Sequence, residues 1–388
     1  MNVLVVTAYP PVLHRHGGGV RMYHNIRILS EKHGVHVLSF VGSDEEQDML
    51  ASVRRICESV RGIRRIPDFR PHWLSTTPFM VREFSTPEMH REVDGTLRAN
   101  KIDVLQCEYL QMAQFRRDCV FSVLTAHEAQ SKNAHAAFEG ETDPVEKLRL
   151  FYRWMQILRY EVAQVRKFDR VVTMTKDDAE YFISYAPEAN VRAIPIGVDS
   201  EEFRPETLPA AEAAKCSASI LFVGNFLHTP NVEAAEFLVR HVAPRFPDVR
   251  FVIVGSPAPQ ALGGGSNVEY SGYVPETRSL YRSPQTIFVA PLFSGTGQRV
   301  KLLEAFAMAC PVVTTKIGAM GFPIQSGEQA FLAETPVEYE RALRRLIADS
   351  ELRRRVGQSA RRMILERFTW NRIGGELLDV VAEAAVSH

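Results

Sequence analysis

From residue 294 to residue 311 the chain reads Ser-Gly-Thr-Gly-Gln-Arg-Val-Lys-Leu-Leu-Glu-Ala-Phe-Ala-Met-Ala-Cys-Pro, and the apolar run Ile287–Phe293 precedes it. This order predicts a buried strand, a glycine-rich turn and a helix that begins at the turn. Gly295 and Gly297 can adopt positive φ and bring the backbone close to a ligand. The free N–H groups and the dipole at the start of the helix favour an anion there.

Charged side chains follow the two glycines. Arg299 and Lys301 add positive charge at the start of the predicted helix, and Glu304 lies about one helical turn after Arg299. The acceptor-only carboxylate of Glu304 suits a pair of sugar hydroxyls. Phosphate at the turn and a polyol beside Glu304 together indicate a nucleotide. These residues alone leave a second interpretation open, a strand-to-helix turn with solvated charges.

Length and composition limit the class of protein. The 388 residues suffice for two domains, and 46 Lys and Arg balance 46 Asp and Glu. A net charge of zero argues against bulk nucleic-acid binding, which needs an extended basic surface. The cysteines form no Cys-x-x-Cys pair and lie in or near apolar stretches, so we expect buried reduced thiols, no disulfide and no zinc site. They are Cys57, Cys107, Cys119, Cys216 and Cys310.

The N-terminal sequence has no basic segment and too few apolar residues for a signal peptide. No window reaches the length that spans a bilayer. We therefore expect a cytoplasmic protein, with the inner face of the membrane as a further location.

The first half of the chain alternates strands and helices. Asn2–Thr7 is a continuous apolar run typical of a buried parallel strand, Val20–Lys32 has helical spacing, and Val35–Val41 reads as the next strand. Three more strands are predicted at Val104–Cys107, Phe121–Ala126 and Arg170–Met174. His127 and Glu128 follow one of them directly. A lone histidine is usually structural, but open α/β sheets bind ligands at the carboxyl ends of strands, which favours a functional His127.

Gly17-Gly-Gly19 lies between the first strand and the first helix. Its spacing differs from Gly-x-Gly-x-x-Gly, so we predict no NAD site. We favour a loop that approaches a ligand, because Arg15, His16 and Arg21 flank it. A simple flexible loop is the alternative.

Two segments mix basic and apolar residues. Arg54–Trp73 carries six arginines, and Asp143–Lys167 reads as one long helix. We favour solvated arginine edges and a helix with a buried stripe over a membrane-surface patch for a lipid-linked substrate. The stripe predicted to face the core comprises Leu148, Phe151, Met155, Leu158, Val162 and Val165.

A segment without pattern separates the two halves. It runs from Val191 to Pro205 and continues through the Pro/Ala-rich residues 206–217, as a linker would. Beyond it we predict a strand at Ser219–Val223 and a helix reaching Phe246, with Thr229 as N-cap and Pro230 as the first helical residue. Later predicted elements are a strand at Arg250–Val254, two helices over Pro336–Arg367 and a last helix ending near Ala385.

Taken together, these features resemble the GT-B-fold retaining glycosyltransferases of family 4. The most specific parts are the linker Ile194-Pro-Ile-Gly-Val-Asp-x-x-x-Phe-x-Pro205 and the helix of Glu304, and the resemblance covers essentially the whole chain. It implies an α/β fold of two Rossmann-like domains facing across a cleft, with a C-terminal helix that crosses back to the N-terminal domain. The implied bounds are 1–200 plus 368–388 for an acceptor-binding domain and 205–367 for a nucleotide-sugar-binding domain.

The resemblance also implies roles for single residues. Gly17–Gly19 would face the diphosphate, and His127 matches the histidine that touches the donor sugar. Glu304 matches the second glutamate of the family's Glu-x7-Glu motif, which holds the ribose. The predicted catalytic residues are His127, Arg299 and Lys301. The predicted donor-binding residues are Gly18, Gly19, Asn225, Tyr273, Val274, Gly295, Thr296, Gly297, Gln298 and Glu304, with the backbone at 273–274 receiving the base.

Three positions depart from the family pattern. Thr296 stands where the first glutamate contacts the donor sugar, and Asn225 and Asn231 stand where the family has Arg and Lys. Negative charge on the leaving diphosphate then needs another source of stabilisation. We expect Arg299 and Lys301 to supply it.

The predicted reaction is transfer of a sugar from a nucleoside-diphosphate donor to a hydroxyl of a glycan, a lipid-linked molecule or a small molecule, with retention at the anomeric carbon, as in polysaccharide biosynthesis. We expect no metal and no cofactor, because no Asp-x-Asp and no histidine cluster is present. Peripheral membrane contact is an option, and no nucleic-acid partner is expected. Two rival hypotheses remain: an inactive GT-B-fold scaffold or binding subunit, and a sugar-nucleotide 2-epimerase sharing the donor site.

Overall fold

A computed structural model describes residues 1–13, 17–65, 75–206, 218–257 and 262–385. The chain forms two compact units, one of Met1–Pro195 with Ile373–His388 and one of Ile196–Arg372. Several residues of the sequence-based predictions lie outside the described ranges: Arg15, His16, Cys216, residues 66–73 of the first basic segment and residues 207–217 of the linker.

The first unit is built on a parallel sheet. Its strands are β1 (Asn2–Thr7), β2 (Gly34–Val41), β3 (Ser59–Arg64), β4 (Val104–Glu108), β5 (Phe121–Ala126), β6 (Arg170–Thr173) and β7 (Val191–Ala193). Their order is β3-β2-β1-β4-β5-β6-β7. The order reverses between β1 and β4, so the loops after these two strands diverge and leave space for a ligand.

Helices cover this sheet. They are α1 (Gly17–Ser30), α2 (Asp44–Met49), α3 (Ala51–Arg54), α4 (Phe79–Arg82), α5 (Pro87–Asn100), α6 (Gln130–Gly140), α7 (Pro144–Val165) and α8 (Lys176–Tyr185), with a 3-10 helix at Leu110–Phe115. The strands and α7 confirm the predicted elements within a few residues. The loop expected at Gly17–Gly19 was wrong, because these glycines form the first turn of α1. Without side chains, this turn can lie close against the strand tips beside it.

The predicted buried stripe of α7 was wrong in its first half. Leu148 is 68% exposed, and Phe151 and Met155 are each 41% exposed. In the second half Val165 is buried and Leu158 and Val162 are half-buried, whereas Ile157, which was not part of the predicted stripe, is buried. The reason is that the first half of α7 packs on α6, as in the stacking of Trp154 on Phe138 with ring centroids 5.8 Å apart, and α6 covers only one side of it.

The second unit contains another parallel sheet. Its strands are β8 (Ser219–Val223), β9 (Arg250–Val254), β10 (Val268–Ser271), β11 (Thr286–Ala290), β12 (Val312–Thr314) and β13 (Phe331–Leu332). Their order is β10-β9-β8-β11-β12-β13, so the order reverses between β8 and β11. The helices are α9 (Thr229–Phe237), α10 (Val300–Ala307), α11 (Pro336–Ala348), α12 (Ser350–Arg367) and α13 (Trp370–Ala382).

Helix α13 begins in the second unit and ends in the first. A Cβ placed on Gly374 would lie 3.2 Å from Cγ2 of Ile28 in α1, and Arg170 of β6 forms an ion pair with Glu383, just after α13. These contacts confirm the predicted return of the C-terminal helix to the N-terminal domain.

Three smaller predictions were wrong. Val191–Ala193, assigned to the linker, pairs with β6 as a strand, because the main chain continues the sheet there. Thr229 is the first helical residue and His228 is the N-cap, which leaves Pro230 in the first turn, where its missing N–H is tolerated. Cys119 is exposed, because it lies in the turn before β5 rather than in a strand. Among the described helices, none is long and apolar enough to cross a membrane.

Candidate functional site

The glycine-rich turn of the second unit follows β11 at the point where the strand order reverses. Gly295 has φ 91° and Gly297 has φ 77°, which confirms the predicted positive φ at both glycines. Arg299 is the N-cap of α10. Its Nη1 donates to the carbonyl oxygen of Thr296 at 2.7 Å and its Nη2 to that of Ser294 at 3.2 Å. The guanidinium therefore stabilises the conformation of the turn and also places a positive charge there.

Lys301 connects this turn with the loop after β8. Its Nζ donates to Oδ1 of Asn231 at 2.6 Å and lies 4.7 Å from the ring centroid of Phe222. Asn231 Nδ2 in turn donates to the carbonyl oxygen of Asn225 at 2.7 Å. The ammonium thus contacts Asn231 directly and is linked through it to Asn225, and these are the two positions at which the family pattern has cations.

Lys301 and Glu304 have strongly shifted ionisation. Burial and the nearby charge of Arg299 lower the pKa of Lys301 to about 7. Burial raises the pKa of Glu304 to about 7, although the hydrogen bond from Thr277 opposes that rise. Two groups that change charge near neutral pH, one turn apart on α10, are typical of a binding or active site.

The base-binding segment predicted at Tyr273 and Val274 approaches α10 through Thr277. Oγ1 of Thr277 donates to Oε2 of Glu304 at 3.0 Å. Gln298, predicted to bind the donor, has a buried side chain whose Oε1 accepts from the amide of Ile196 at 2.6 Å. Among the described residues, Nε2 of the same amide has no hydrogen-bond partner.

In the first unit, the predicted site residue His127 lies at the tip of β5. Parallel pairing sets Glu108, the last residue of β4, opposite Thr125, two residues before His127. The ring nitrogen Nε2 of His127 is 2.7 Å from Oε2 of Glu108. The ring of Tyr109 stacks on the imidazole with centroids 3.8 Å apart and planes 7° from parallel.

Gly18 of α1 packs against Tyr109 and His127. A Cβ placed on Gly18 would lie 1.6 Å from the hydroxyl oxygen of Tyr109 and 3.4 Å from Nδ1 of His127. Gly19 next to it is buried. Only glycine fits at position 18, and the first turn of α1 therefore lies directly against the predicted site histidine.

Glu108 and Tyr109 were missed by the sequence analysis. Both follow the apolar part of β4, and Tyr109 has φ 79°, a strained value for a residue with a side chain. The available signal was the polar pair Gln106 and Glu108 at the end of an otherwise apolar strand, at a strand tip where such sheets bind ligands. Glu128, considered as a neighbour of His127, accepts instead from the side-chain amides of Gln130 and Asn133.

Among the described residues, no three His, Cys, Asp or Glu side chains come close enough together to hold a metal ion. Cationic and amide donors around the turn at residues 294–301 are suited to an anion.

Two family models match the chain. One, described as Glycosyltransferase Family 4, matches residues 15–202, and the other, Glycosyl transferases group 1, matches residues 217–349. The chain is a family 4 glycosyltransferase with the GT-B fold. Its two α/β units correspond to the two matched regions.

This glycosyltransferase is similar to proteins from several organisms. An uncharacterized 44.6 kDa protein in the cps region of Klebsiella pneumoniae is 22% identical over 87% of this chain and 88% of that protein. Sucrose-phosphate synthase from Thermosynechococcus elongatus has the same fold, with a TM-score of 0.76 and 14% identity over 100% of both chains. The structure of HepE from Anabaena in complex with UDP-glucose aligns with a TM-score of 0.70 and 15% identity over 99% of this chain and 100% of that one.

Proposed function

We propose that this glycosyltransferase transfers a sugar from a nucleoside-diphosphate donor to an acceptor hydroxyl with retention at the anomeric carbon. The observation that carries the proposal is the contact of the Lys301 ammonium with Asn231, 2.6 Å away. It delivers a positive charge to the loop where the family's cations are replaced by asparagines. A scaffold that had lost catalysis would have no need to replace that charge.

The donor is held mainly by the second unit in this proposal. The amides of residues 295–298 and Lys301 bind the diphosphate, Glu304 accepts from the ribose hydroxyls, and the backbone at Tyr273 and Val274 receives the base. The fold supports this assignment, since HepE, which has a similar fold, was solved with UDP-glucose. Asn225 contributes its amide side chain, whose Oδ1 accepts from Leu227 N at 3.0 Å, at the edge of the same loop.

The reaction needs charge stabilisation and orientation more than a separate base. The bond between the anomeric carbon and the diphosphate oxygen breaks, the acceptor oxygen bonds to the same face of that carbon, and a leaving-phosphate oxygen takes the acceptor proton. Lys301 and the turn braced by Arg299 stabilise the negative charge that develops on the diphosphate. His127 orients the donor sugar. No metal is required in this scheme, because the cation and the amides do the work that a divalent ion would otherwise do.

The acceptor is proposed to approach from a membrane surface. Helix α7 exposes Val145, Leu148, Phe151, Tyr152 and Met155, and Arg149 and Arg153 lie between them in the sequence. An apolar face with interspersed cations suits an anionic bilayer. Together with the relative in a cps region, this face favours a lipid-linked acceptor in polysaccharide biosynthesis.

Calorimetric titration with UDP, GDP, ADP and dTDP, each with and without Mg²⁺, tests the donor assignment. We expect one nucleotide to bind with micromolar affinity independently of Mg²⁺, and Lys301→Gln to lose about tenfold or more in that affinity, as removal of a charged hydrogen-bond donor does. Lys316→Gln, an exposed lysine of the same unit, is the matched control. Absence of binding to all four nucleotides would support the scaffold alternative.

A further inference from the structure

We propose that Glu108 is a positioning residue that fixes His127 as the Nε2–H tautomer and directs its Nδ1, as a hydrogen-bond acceptor, toward the first turn of α1. This inference rests on the proposed role of His127 at the donor sugar. It adds Glu108 to the proposed site and assigns the direction of one hydrogen bond: the sugar hydroxyl would donate to His127 rather than accept from it.

The carboxylate of Glu108 is fully buried at 0% exposure, and both of its oxygens have partners. Oε1 accepts from Nε2 of Gln106 at 2.6 Å, and Nδ2 of Asn25 lies 3.5 Å from the same oxygen. Oε2 is left for His127 at 2.7 Å. An ionised carboxylate only accepts hydrogen bonds, so the proton of this contact must be on Nε2 of His127.

Glu108 is ionised despite its burial. Burial alone would raise the pKa of this carboxyl, but the hydrogen bonds from His127 and Gln106 and the positive charge of Arg21 oppose that rise, and the pKa lies below the usual value for glutamate. Arg21 is itself buried in α1, where Nη1 donates to the carbonyl oxygen of Pro195 at 2.8 Å. The positive charge that keeps Glu108 an acceptor is therefore fixed in place.

The plane of the His127 ring is fixed as well. Tyr109 stacks face to face on the imidazole, 3.8 Å away between ring centroids, and edge-on contact with Tyr9 at 5.7 Å supports Tyr109 from behind. With one face covered and Nε2 held by Glu108, the ring cannot rotate without losing both contacts. Nδ1 then points to the side where a Cβ on Gly18 would lie 3.4 Å away.

The consequence is a defined polarity for ligand binding. In a neutral imidazole one nitrogen donates and the other accepts, and the partner of the first decides which. Glu108 holds the donating nitrogen, so the other presents a lone pair. A sugar hydroxyl placed beside Gly18 donates to that lone pair, whereas a ligand group with only acceptor atoms is disfavoured there.

The tautomer can be measured directly by nitrogen-15 NMR of the histidine side chains, with His127 assigned from the signals lost in His127→Gln. We expect a proton on Nε2 of His127 and none on Nδ1 in the wild-type protein, and a mixed or reversed tautomer in Glu108→Gln. Glu128→Gln is the matched control, because Glu128 contacts Gln130 and Asn133 instead of the ring, and should leave the signals of His127 unchanged. A proton on Nδ1 in the wild-type protein would overturn the inference even if Glu108→Gln failed to fold.

Binding of UDP-glucose and UDP provides a second readout. In Glu108→Gln we expect about tenfold weaker binding of UDP-glucose, the cost of one misdirected hydrogen bond, with UDP affinity unchanged because UDP lacks the glucose that His127 would contact. Equal loss for both ligands would overturn the positioning role. If wild-type protein binds neither ligand, the proposed function fails for this donor, whereas the NMR result on the tautomer stands or falls independently.

Discussion

Lys301 Nζ and Asn231 Oδ1 lie 2.6 Å apart, although 70 residues separate them in the chain. One residue is on α10 after β11, and the other is on α9 after β8. The two strands are neighbours at the point where the order of the second sheet reverses. In the proposed function, the cation that the family pattern places after β8 is supplied by Lys301 of α10, on the other side of the same gap.

Exchanging the two side chains tests this relocation. Lys301→Asn should weaken UDP binding about tenfold or more, and the double variant Asn231→Lys with Lys301→Asn should recover most of the loss, because the ammonium returns to the same space. Asn231→Lys alone places two ammonium groups together and should not improve affinity. Calorimetry with UDP measures all three. Failure of the double variant to regain affinity would show that position 231 and position 301 do not serve one phosphate site.

Nucleotide affinity should depend on pH with a maximum near 7. The lowered pKa of Lys301, about 7, means that its positive charge is lost as pH rises through that value. The raised pKa of Glu304, also about 7, means that its negative charge is lost as pH falls through it. Far from the maximum, affinity should change by up to about tenfold per pH unit on each side.

Two variants distinguish the acidic side from the alkaline side of the pH dependence of nucleotide affinity. Relative to wild type, Lys301→Gln should flatten the alkaline side and Glu304→Gln the acidic side, and taking ratios to the wild-type protein removes the titration of UDP itself. Titrations with UDP from pH 5.5 to 8.5, roughly the range over which groups of this pKa change charge, would show it. An unchanged profile in both variants would contradict the assignment of these two groups.

Gly18→Ala should destabilise the first unit. A Cβ at this position would lie 1.6 Å from the hydroxyl oxygen of Tyr109, so Tyr109 must move away from His127, at a cost of about 1–3 kcal/mol in the free energy of unfolding. Gly95→Ala, within α5 and with open space around it, should instead stabilise by roughly 0.5–1 kcal/mol. Urea unfolding of both variants measures these opposite changes in the free energy of unfolding. If both variants were destabilised, the cause would be a general intolerance of substitution in helices and not the contact with Tyr109.

Stability should fall as pH rises from about 5 to 7 because of Glu161. Burial raises the pKa of this carboxyl to about 7, although Ser131, Gln130 and Tyr185 donate hydrogen bonds to it. The folded state then binds a proton that the unfolded state has released, so the contribution to stability is present at acidic pH and is lost through this window, at up to about 1.4 kcal/mol per pH unit.

Urea unfolding of wild type and Glu161→Gln at several pH values measures that contribution. The difference between the two proteins should vary with pH between 5 and 7, roughly the window set by the two pKa values. Glu180→Gln, an exposed residue of α8, should show no such variation. A difference independent of pH would mean that Glu161 is ionised throughout.

The exposed face of α7 should be dispensable for folding and needed for membrane contact. Val145→Ser with Leu148→Ser should lower binding to vesicles of anionic lipid about tenfold or more, and leave the free energy of unfolding nearly unchanged, since these side chains are 71% and 68% exposed. Val337→Ser, an exposed apolar residue of the second unit, is the control. Cosedimentation with vesicles measures the effect, and equal binding by all variants would remove this face from consideration.

Patterns within a short stretch of sequence predicted those parts of the site that are formed by that same stretch. The positive φ of Gly295 and Gly297 and the helix behind them follow from a strand, a glycine turn and helical spacing within one stretch. The contact of Glu108 with His127 depends on the register of two strands, and that of Lys301 with Asn231 on strand order. Neither register nor order is encoded in a short pattern, so both contacts required the structure.

Helix α7 shows a different limit. Apolar spacing of 3.6 residues predicts that a helix has an apolar face, and α7 does have one. Whether that face meets a core, another helix or a membrane depends on the neighbours, and here α6 covers only part of it. The buried residues that do anchor α7, such as Ile157 and Val165, lie in its second half.

The polypeptide passes from one unit to the other twice, after Pro195 and after Arg372. Coding sequence for the first unit is consequently interrupted, and a fragment that stops at Pro195 lacks the helix ending that carries Glu383, the partner of Arg170. Recombination that exchanges only residues 1–195 between two relatives would combine the sheet of one parent with the C-terminal helix of the other. Chimeric enzymes that exchange the first unit must therefore inherit both pieces from the same parent.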